Sequence, residues 1–390
     1  MIGPPSRRRT VLALGTAQTL AWASSYYLVA ILAAPIARDL GLAPSWVFGA
    51  FSAALVVTAL LGPRVGAVID ALGGRGVLCA SNAVLAAGLG LLAVASGSWG
   101  LLLAWLVIGV GMAAGLYDAA FATLARLYGG EARRSITGIT LIAGFASTVG
   151  WPLSAWLEAR YGWRTTCLAW AGAHLILGLP LNLLLPRAIR AVKPGPALSN
   201  HSGPEPQGST TRVMVALALF FAATSFVSSA LSAHMPALLE SAGATPAAAV
   251  LAGALIGPAQ VGARLVEAGL MARAQPVVAA RLAAVAHPLG ALVLALAGPA
   301  AAPAFALFYG AGNGVLTIVR GTLPLAVFGP EGYGRRLGLL NAPARLAQAA
   351  APLLFGLAVG AFGAGALWIS AGLSLGGLAA LWGLIGARRA

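Results

Sequence analysis

Gly66-Ala67-Val68-Ile69-Asp70-Ala71-Leu72-Gly73-Gly74-Arg75 joins two long apolar runs of this chain. An acid follows a glycine by four positions, and an arginine follows the acid by five. The glycines permit close backbone approach and a tight turn, and the opposite charges suit a latch that holds one arrangement of the neighbouring segments. A turn of this chemistry between apolar runs belongs at a membrane surface.

Outward from this turn the chain remains apolar: 59% of its residues are hydrophobic and 8% are charged, more apolar surface than a water-soluble fold can hide. Apolar runs of spanning length lie near 11–35, 46–68, 76–96, 99–127, 136–157, 165–186, 213–236, 246–270, 276–298, 303–328, 337–360 and 364–386. They lack the alternation of barrel strands, and lipid cannot satisfy open backbone groups, so they are expected to be helices. The expectation is an all-α membrane protein of about twelve spans.

The chain also repeats itself. Ala59-Leu60-Leu61-Gly62-Pro63 returns as Ala254-Leu255-Ile256-Gly257-Pro258, an offset of 254 − 59 = 195 in 390 residues. Gly129, Glu131 and Pro152 find Gly329, Glu331 and Pro352 at an offset of 200. Two pseudo-symmetric six-helix bundles, 1–186 and 213–390, are therefore expected on either side of the Pro-, Gly- and Ser-rich linker 187–212.

A net charge of +15 raises the question of nucleic acid, but the basic residues follow membrane topology. Most arginines, Arg75, Arg126, Arg190, Arg264, Arg273, Arg281, Arg388 and Arg389 among them, fall on one side or its margin. Arg38, Arg160 and Arg164 fall on the other. No nucleic-acid partner is expected, and the positive-inside rule places both termini in the cytoplasm. Arg7-Arg8-Arg9 resembles an export signal, yet the run behind it is too long for a signal core and leads into further spans. Cys79 and Cys167 fall at opposite faces and are not expected to bridge, and no zinc, phosphate-loop or nucleophile-elbow motif occurs. His201 stands alone in the linker, and His174, His234 and His287 are scattered over different spans, so no metal site or cofactor is expected.

The pattern Gly66, Asp70, Gly73, Arg75, in the second loop of a twelve-span chain, resembles the signature loop of the major facilitator superfamily, and the resemblance covers nearly the whole chain. A weakened second copy runs from Gly262 through Glu267 to Arg273. The resemblance implies a transporter, not an enzyme, with Asp70 meeting the start of span 11 and spans 1, 4, 7 and 10 lining a central path. Two departures limit it. Trp105 stands where the family often has an arginine before Gly109 and Gly111, and Trp151 interrupts the Gly150–Pro152 pair of the antiporter signature.

Charges inside the spans point to chemistry. An ionised side chain at the bilayer centre costs about 2.5–3.5 kcal/mol on insertion scales and faces protein or a watery cavity. Asp118 in span 4 lies on a stripe with Gly111, Gly115, Ala122 and Ala125, and Arg320 in span 10 lies on one with Asn313, Thr317 and Pro324. The two either pair or each find another partner. Either way Asp118 is the expected proton carrier. Arg320, Asn313 and Thr317 are expected to bind substrate, together with Gln18, Trp22 and Tyr26 of span 1, Thr224 and Ser228 of span 7, and Asn341 and Arg345 of span 11. Arg345 serves either anion binding or anchoring by snorkelling. Glu158, with Arg160 and Arg164, reads as an exterior salt-bridge patch.

The expected function is secondary active transport of a small solute across the inner (plasma) membrane by alternating access, proton-coupled and outward, by a monomer. The segment Gly115-Leu116-Tyr117-Asp118-Ala119-Ala120-Phe121 and the span after it resemble bacterial efflux carriers, including an arsenite-efflux group. Uptake or exchange of a small organic anion is the alternative. A non-transporting membrane sensor is the reading of another class.

Overall fold

The computed structural model describes residues 6–187, 207–271 and 274–386. Arg190, Lys193, His201, Arg273, Arg388, Arg389 and most of the expected linker lie outside the described residues.

The described chain is helical throughout, with no strand. Its first part comprises α1 (Arg7–Ser24), α2 (Leu28–Leu40), α3 (Pro44–Leu72), α4 (Gly74–Ala93), α5 (Gly97–Gly115), α6 (Tyr117–Tyr128), α7 (Ala132–Ala143), α8 (Ala146–Ala173) and α9 (Leu179–Leu183). The second part comprises α10 (Gln207–Ser241), α11 (Pro246–Gly269), α12 (Pro276–Ala297), α13 (Ala302–Phe328), α14 (Tyr333–Phe362) and α15 (Ala366–Gly386). Helix α10 begins at Gln207, so the last six positions of the expected linker are helical.

Among the described residues, eight stretches are long and apolar enough to cross a membrane. Three of them, of 87, 53 and 50 residues, are far longer than one crossing needs, at about 1.5 Å of rise per residue. Glycines with positive φ divide them: Gly129 (56°) and Gly162 (79°) in the first, Gly298 (68°) in the second and Gly363 (54°) in the third. These reversals bring eight stretches to the expected twelve crossings. At each, the absent Cβ makes a left-handed conformation accessible.

Contacts gather the helices into two compact units, Met1–Arg187 with Gly321–Ala349, and Ala188–Arg320 with Ala350–Ala390. In the first, α5 packs along α3 and α4, and α8 packs on α1, α2 and α4. Gly109, Gly111 and Gly115 make this possible, because a Cβ on them would lie 2.7 Å from Ala54 O, Leu85 Cγ and Ser81 Oγ respectively. In the second unit α15 packs on α10 and α12. Phe220, Phe305 and Phe355 are fully buried there.

Several spans read as continuous are interrupted. Span 4 is broken at Leu116 (φ −87°, ψ −170°), which separates α5 from α6. Span 1 is broken at Ser25–Tyr27, where the Tyr27 N–H reaches back five residues to the Trp22 carbonyl at 3.0 Å. A π-helical turn at His174–Gly178 interrupts span 6. It is braced by His174, fully buried, whose Nε2 lies 2.7 Å from Ser24 Oγ and whose Nδ1 lies 2.9 Å from Asn82 Oδ1. At the expected exterior patch, Arg164 pairs with Asp39 instead of Glu158, and Trp163 Nε1 donates to the same carboxylate at 3.3 Å. The turn at Gly162 brings these groups to the end of α2.

Candidate functional site

The first unit holds a buried polar chain. The break at Leu116 places Asp118 in the first turn of α6, where free N–H groups and the helix dipole favour an anion. Asn341 Nδ2 donates to Asp118 Oδ1 at 3.0 Å, and Arg345 Nη2 lies 3.4 Å from Oδ2. Arg345 Nη1 donates to Gln348 Oε1 at 3.1 Å, and Gln348 Nε2 donates to Tyr26 OH at 2.6 Å. Asn341, Arg345 and Gln348 share one face of α14 by their spacing of four and three. Carboxylate and guanidinium differ in access: the Asp118 side chain is 16% exposed and that of Arg345 only 4%. Arg345 therefore does not snorkel. Its charge is taken up inside the protein by Asp118.

The other span 1 residues brace this site. Gln18 Nε2 donates to the Gly115 carbonyl at 2.6 Å, a carbonyl left at the helix end by the Leu116 break. Trp22 packs between Tyr26 and Tyr117, with ring centroids 5.2 and 4.9 Å away. Gln18 Oε1, Trp22 Nε1, Asn341 Oδ1 and Arg345 Nε are buried with no hydrogen-bond partner among the described residues. Two acceptors and two donors thus have no protein partner in this unit, a set suited to ordered water. Trp105, in place of the family's arginine, is 1% exposed and meets Phe51 edge-on at 5.4 Å.

The signature loop lies in the same unit. Asp70 ends α3, and its two oxygens accept the backbone N–H groups of Gly334 (2.8 Å) and Arg335 (2.9 Å) at the start of α14. A helix N-terminus is a ready anion site. The latch is therefore made with the backbone, while Arg75 sits half-buried at the start of α4. Gly73, at φ 86°, turns the chain between α3 and α4. Gly62 and Gly66 of α3 face Gly338 and Gly334 of α14 closely: a Cβ on Gly338 would lie 2.6 Å from the Gly62 carbonyl, and one on Gly66 would run into that of Gly334. Two four-residue glycine spacings were visible in the sequence, but nothing there showed that they face each other.

The second unit holds a separate polar group. Ser228 Oγ donates to Asn313 Oδ1 at 2.9 Å, and Tyr309 OH donates to the Ser228 carbonyl at 3.0 Å. Thr224 and Thr317 bond their own helices, to Phe220 O (2.9 Å) and Asn313 O (3.0 Å). Thr224, Ser228, His287, Tyr309 and Asn313 line a cavity of about 20 Å³, room for one water. Arg320 Nη2 donates to Ser225 Oγ at 2.7 Å. Arg264, read as one of the side-marking arginines, is instead 5% exposed and reaches α13.

Long apolar helices and, inside the first unit, a buried ion pair characterise a polytopic membrane protein. The chain belongs to the Major Facilitator Superfamily, whose family profile matches residues 14–317. It is a transporter and not an enzyme. The fold is similar to that of the human organic anion transporter MFSD10 (TETRAN), with 18% identity, 97% of this chain and 100% of that one covered, and a TM-score of 0.76. It is also similar to the proton:xylose symporter XylE bound to 6-bromo-6-deoxy-D-glucose (15% identity, 97% and 96% covered, TM-score 0.75). The transporter FucP in the outward conformation gives 14% identity, 95% and 98% covered and a TM-score of 0.72. Likeness at such identities establishes the fold alone. No curated protein matches significantly.

Proposed function

We propose that this chain exports a small solute in exchange for protons, with Asp118 as the proton-binding group. One observation carries the reading: a partly accessible carboxylate, at the N-terminus of a half-helix, is the partner of a sealed arginine. Ionised Asp118 holds Arg345 and Asn341. Protonation removes the charge that Arg345 needs, and the low dielectric of the interior makes that loss large. Arg345 then depends on Gln348, itself tied to Tyr26 beside the break in span 1. A proton thus bears on α6, α14 and the α1–α2 junction together.

The remaining assignments belong to the same reading. Bundles 1–186 and 213–390, joined by 187–212, alternate access to a path lined by Gln18, Trp22, Tyr26, Thr224, Ser228, Asn313, Thr317, Arg320, Asn341 and Arg345. The latch Gly66, Asp70, Gly73, Arg75 holds one state. The distribution of arginines supports cytoplasmic termini in a cell inner membrane, and the chain acts as a monomer.

The test is proton movement in proteoliposomes carrying an internal pH-sensitive dye, challenged with a panel of small neutral and anionic solutes. The wild type alkalinises or acidifies the lumen on addition of its substrate. Asp118→Asn abolishes that signal while facilitated exchange of the solute persists. Full coupling by Asp118→Asn removes Asp118 from the role.

A further inference from the structure

The Arg281 guanidinium, partly buried on α12, has an aromatic ring for a neighbour and no acceptor among the described residues. Its Nε and Nη2 are buried without a hydrogen-bond partner. Helix α12 contains no acid, and neither does α15, on which it packs. In sequence no Asp or Glu occurs between Glu267 and Glu331 or after Glu331, while Arg273 precedes α12 and Arg388 and Arg389 follow α15. The sequence around both helices thus adds positive charge and no negative. Native proteins seldom leave the buried donors of a charged group unsatisfied, so the acceptor comes from outside the chain.

The position is that of a membrane boundary. Arg281 stands 281 − 276 = 5 positions after the first residue of α12, and Trp382 stands 386 − 382 = 4 before the last of α15, about 7.5 and 6 Å from those ends. The Arg281 guanidinium carbon lies 5.6 Å from the Trp382 ring centroid, within cation–π range, so the start of α12 and the end of α15 share one level. Trp382 is 58% exposed, and Leu282, next to Arg281 in sequence, is exposed as well. Trp368, Leu375 and Trp382 recur every seven positions, about two helical turns, and all three are exposed, so they form one outward face of α15. An exposed apolar face ending in a tryptophan meets acyl chains and sets its last ring at the headgroup level. The guanidinium beside that ring stands at the height of a lipid phosphate.

We propose that Arg281 and Trp382 form a binding site for the phosphate of an anionic phospholipid headgroup, in the leaflet at which α12 begins and α15 ends. The guanidinium supplies N–H donors in the planar fork that phosphate oxygens accept. The indole ring supports the guanidinium and packs against the upper part of the lipid. The basic flanks favour a lipid of net negative charge over a zwitterionic one. The site belongs to the second unit alone and does not depend on the transport reading.

The experiment is native mass spectrometry of the purified full-length protein, delipidated in detergent and titrated with phosphatidylglycerol, with phosphatidylcholine of the same acyl chains, or with inorganic phosphate, the melting temperature being recorded alongside. Phosphatidylglycerol is expected to give a saturable adduct and to raise the melting temperature. Phosphatidylcholine binds at least about fivefold more weakly, and inorganic phosphate at the same concentrations does neither. Arg281→Gln weakens phosphatidylglycerol binding about fivefold or more, the loss expected of one arginine at a membrane surface. Arg281→Lys, which keeps the charge without the fork, falls between it and the wild type, and Trp382→Leu also binds more weakly. These last two decide the matter if Arg281→Gln does not fold. Arg64→Gln, which removes an exposed cation of the first unit, leaves the affinity unchanged. Equal affinity for phosphatidylcholine, equal stabilisation by inorganic phosphate, wild-type binding in the Arg281 and Trp382 variants, or an equal loss in Arg64→Gln overturns the proposal.

Discussion

At the scale of single residues, the ion pairs differ in their surroundings: Asp118–Arg345 is largely buried, whereas Asp39–Arg164 is open. Removing the acid from the Asp118–Arg345 pair strands a guanidinium that is 4% exposed, and breaking such a pair costs about 3–5 kcal/mol. Asp118→Ala should therefore lower the melting temperature sharply, and the double variant Asp118→Ala with Arg345→Met should recover most of the loss. Thermal unfolding in detergent measures both. The Asp39–Arg164 pair, beyond the apolar run 11–35, behaves differently. The hydrogen bond from Arg164 holds the Asp39 carboxyl below its ordinary value of 3.8 against an opposing effect of burial, with the Arg164 charge and the Trp163 hydrogen bond adding to the lowering. A depressed folded value means that the stabilisation exists above the ordinary carboxylate value and is lost as pH falls through the depressed one. Wild type and Asp39→Asn should thus differ in melting temperature near neutrality and converge in strong acid. The face Asn341, Arg345, Gln348 was legible as a 4-and-3 spacing, and Asp118 as a buried acid. Their pairing was not, because 227 positions separate Asp118 from Arg345, and periodicity reports a face without its partner.

At the scale of elements, interruptions matter more than lengths. The apolar runs located the helices, since twenty-residue hydrophobic segments admit few other structures in lipid. They could not locate the breaks at Leu116 or Ser25–Tyr27, which carry no proline and depend on Gln18, Trp22 and Tyr26 to satisfy or cover the backbone. The crossing of α3 on α14 is equally a matter of fit. Gly66→Ala places a methyl group against the Gly334 carbonyl, and overpacking of this kind costs about 1–3 kcal/mol. The substitution should loosen the Asp70 latch, and hydrogen exchange at the Gly334 and Arg335 amides should rise several-fold. Gly76→Ala, with open space around it, should leave those amides unchanged.

At the scale of the whole molecule, matching glycines and prolines suggested a duplication, while the apolar runs alone led to the expectation of about twelve crossings. The distribution of charge along the second part of the chain was only partly readable. Arg264 looked like a surface arginine because it stands five positions before the end of α11, and the structure turns it inward onto α13. Glu267, placed by sequence in a degenerate loop, is buried in the last turn of the same helix. Orientation in the membrane is checked by reporters at the C-terminus: a fused fluorescent protein should mature and a fused periplasmic phosphatase should remain inactive. The reverse result inverts the topology.

The two thiols have a practical consequence. Cys167 is fully enclosed, while Cys79 on α4 is partly open. A maleimide offered to the folded protein should therefore attach once, at Cys79, with no engineered background. Because α4 packs against both α5 and α6, a dye at that position sits in the same helical layer as the Leu116 break. The native chain is its own singly labelled reporter, and a fluorescence change that follows pH in the wild type and disappears in Asp118→Asn would make the proton step visible in real time.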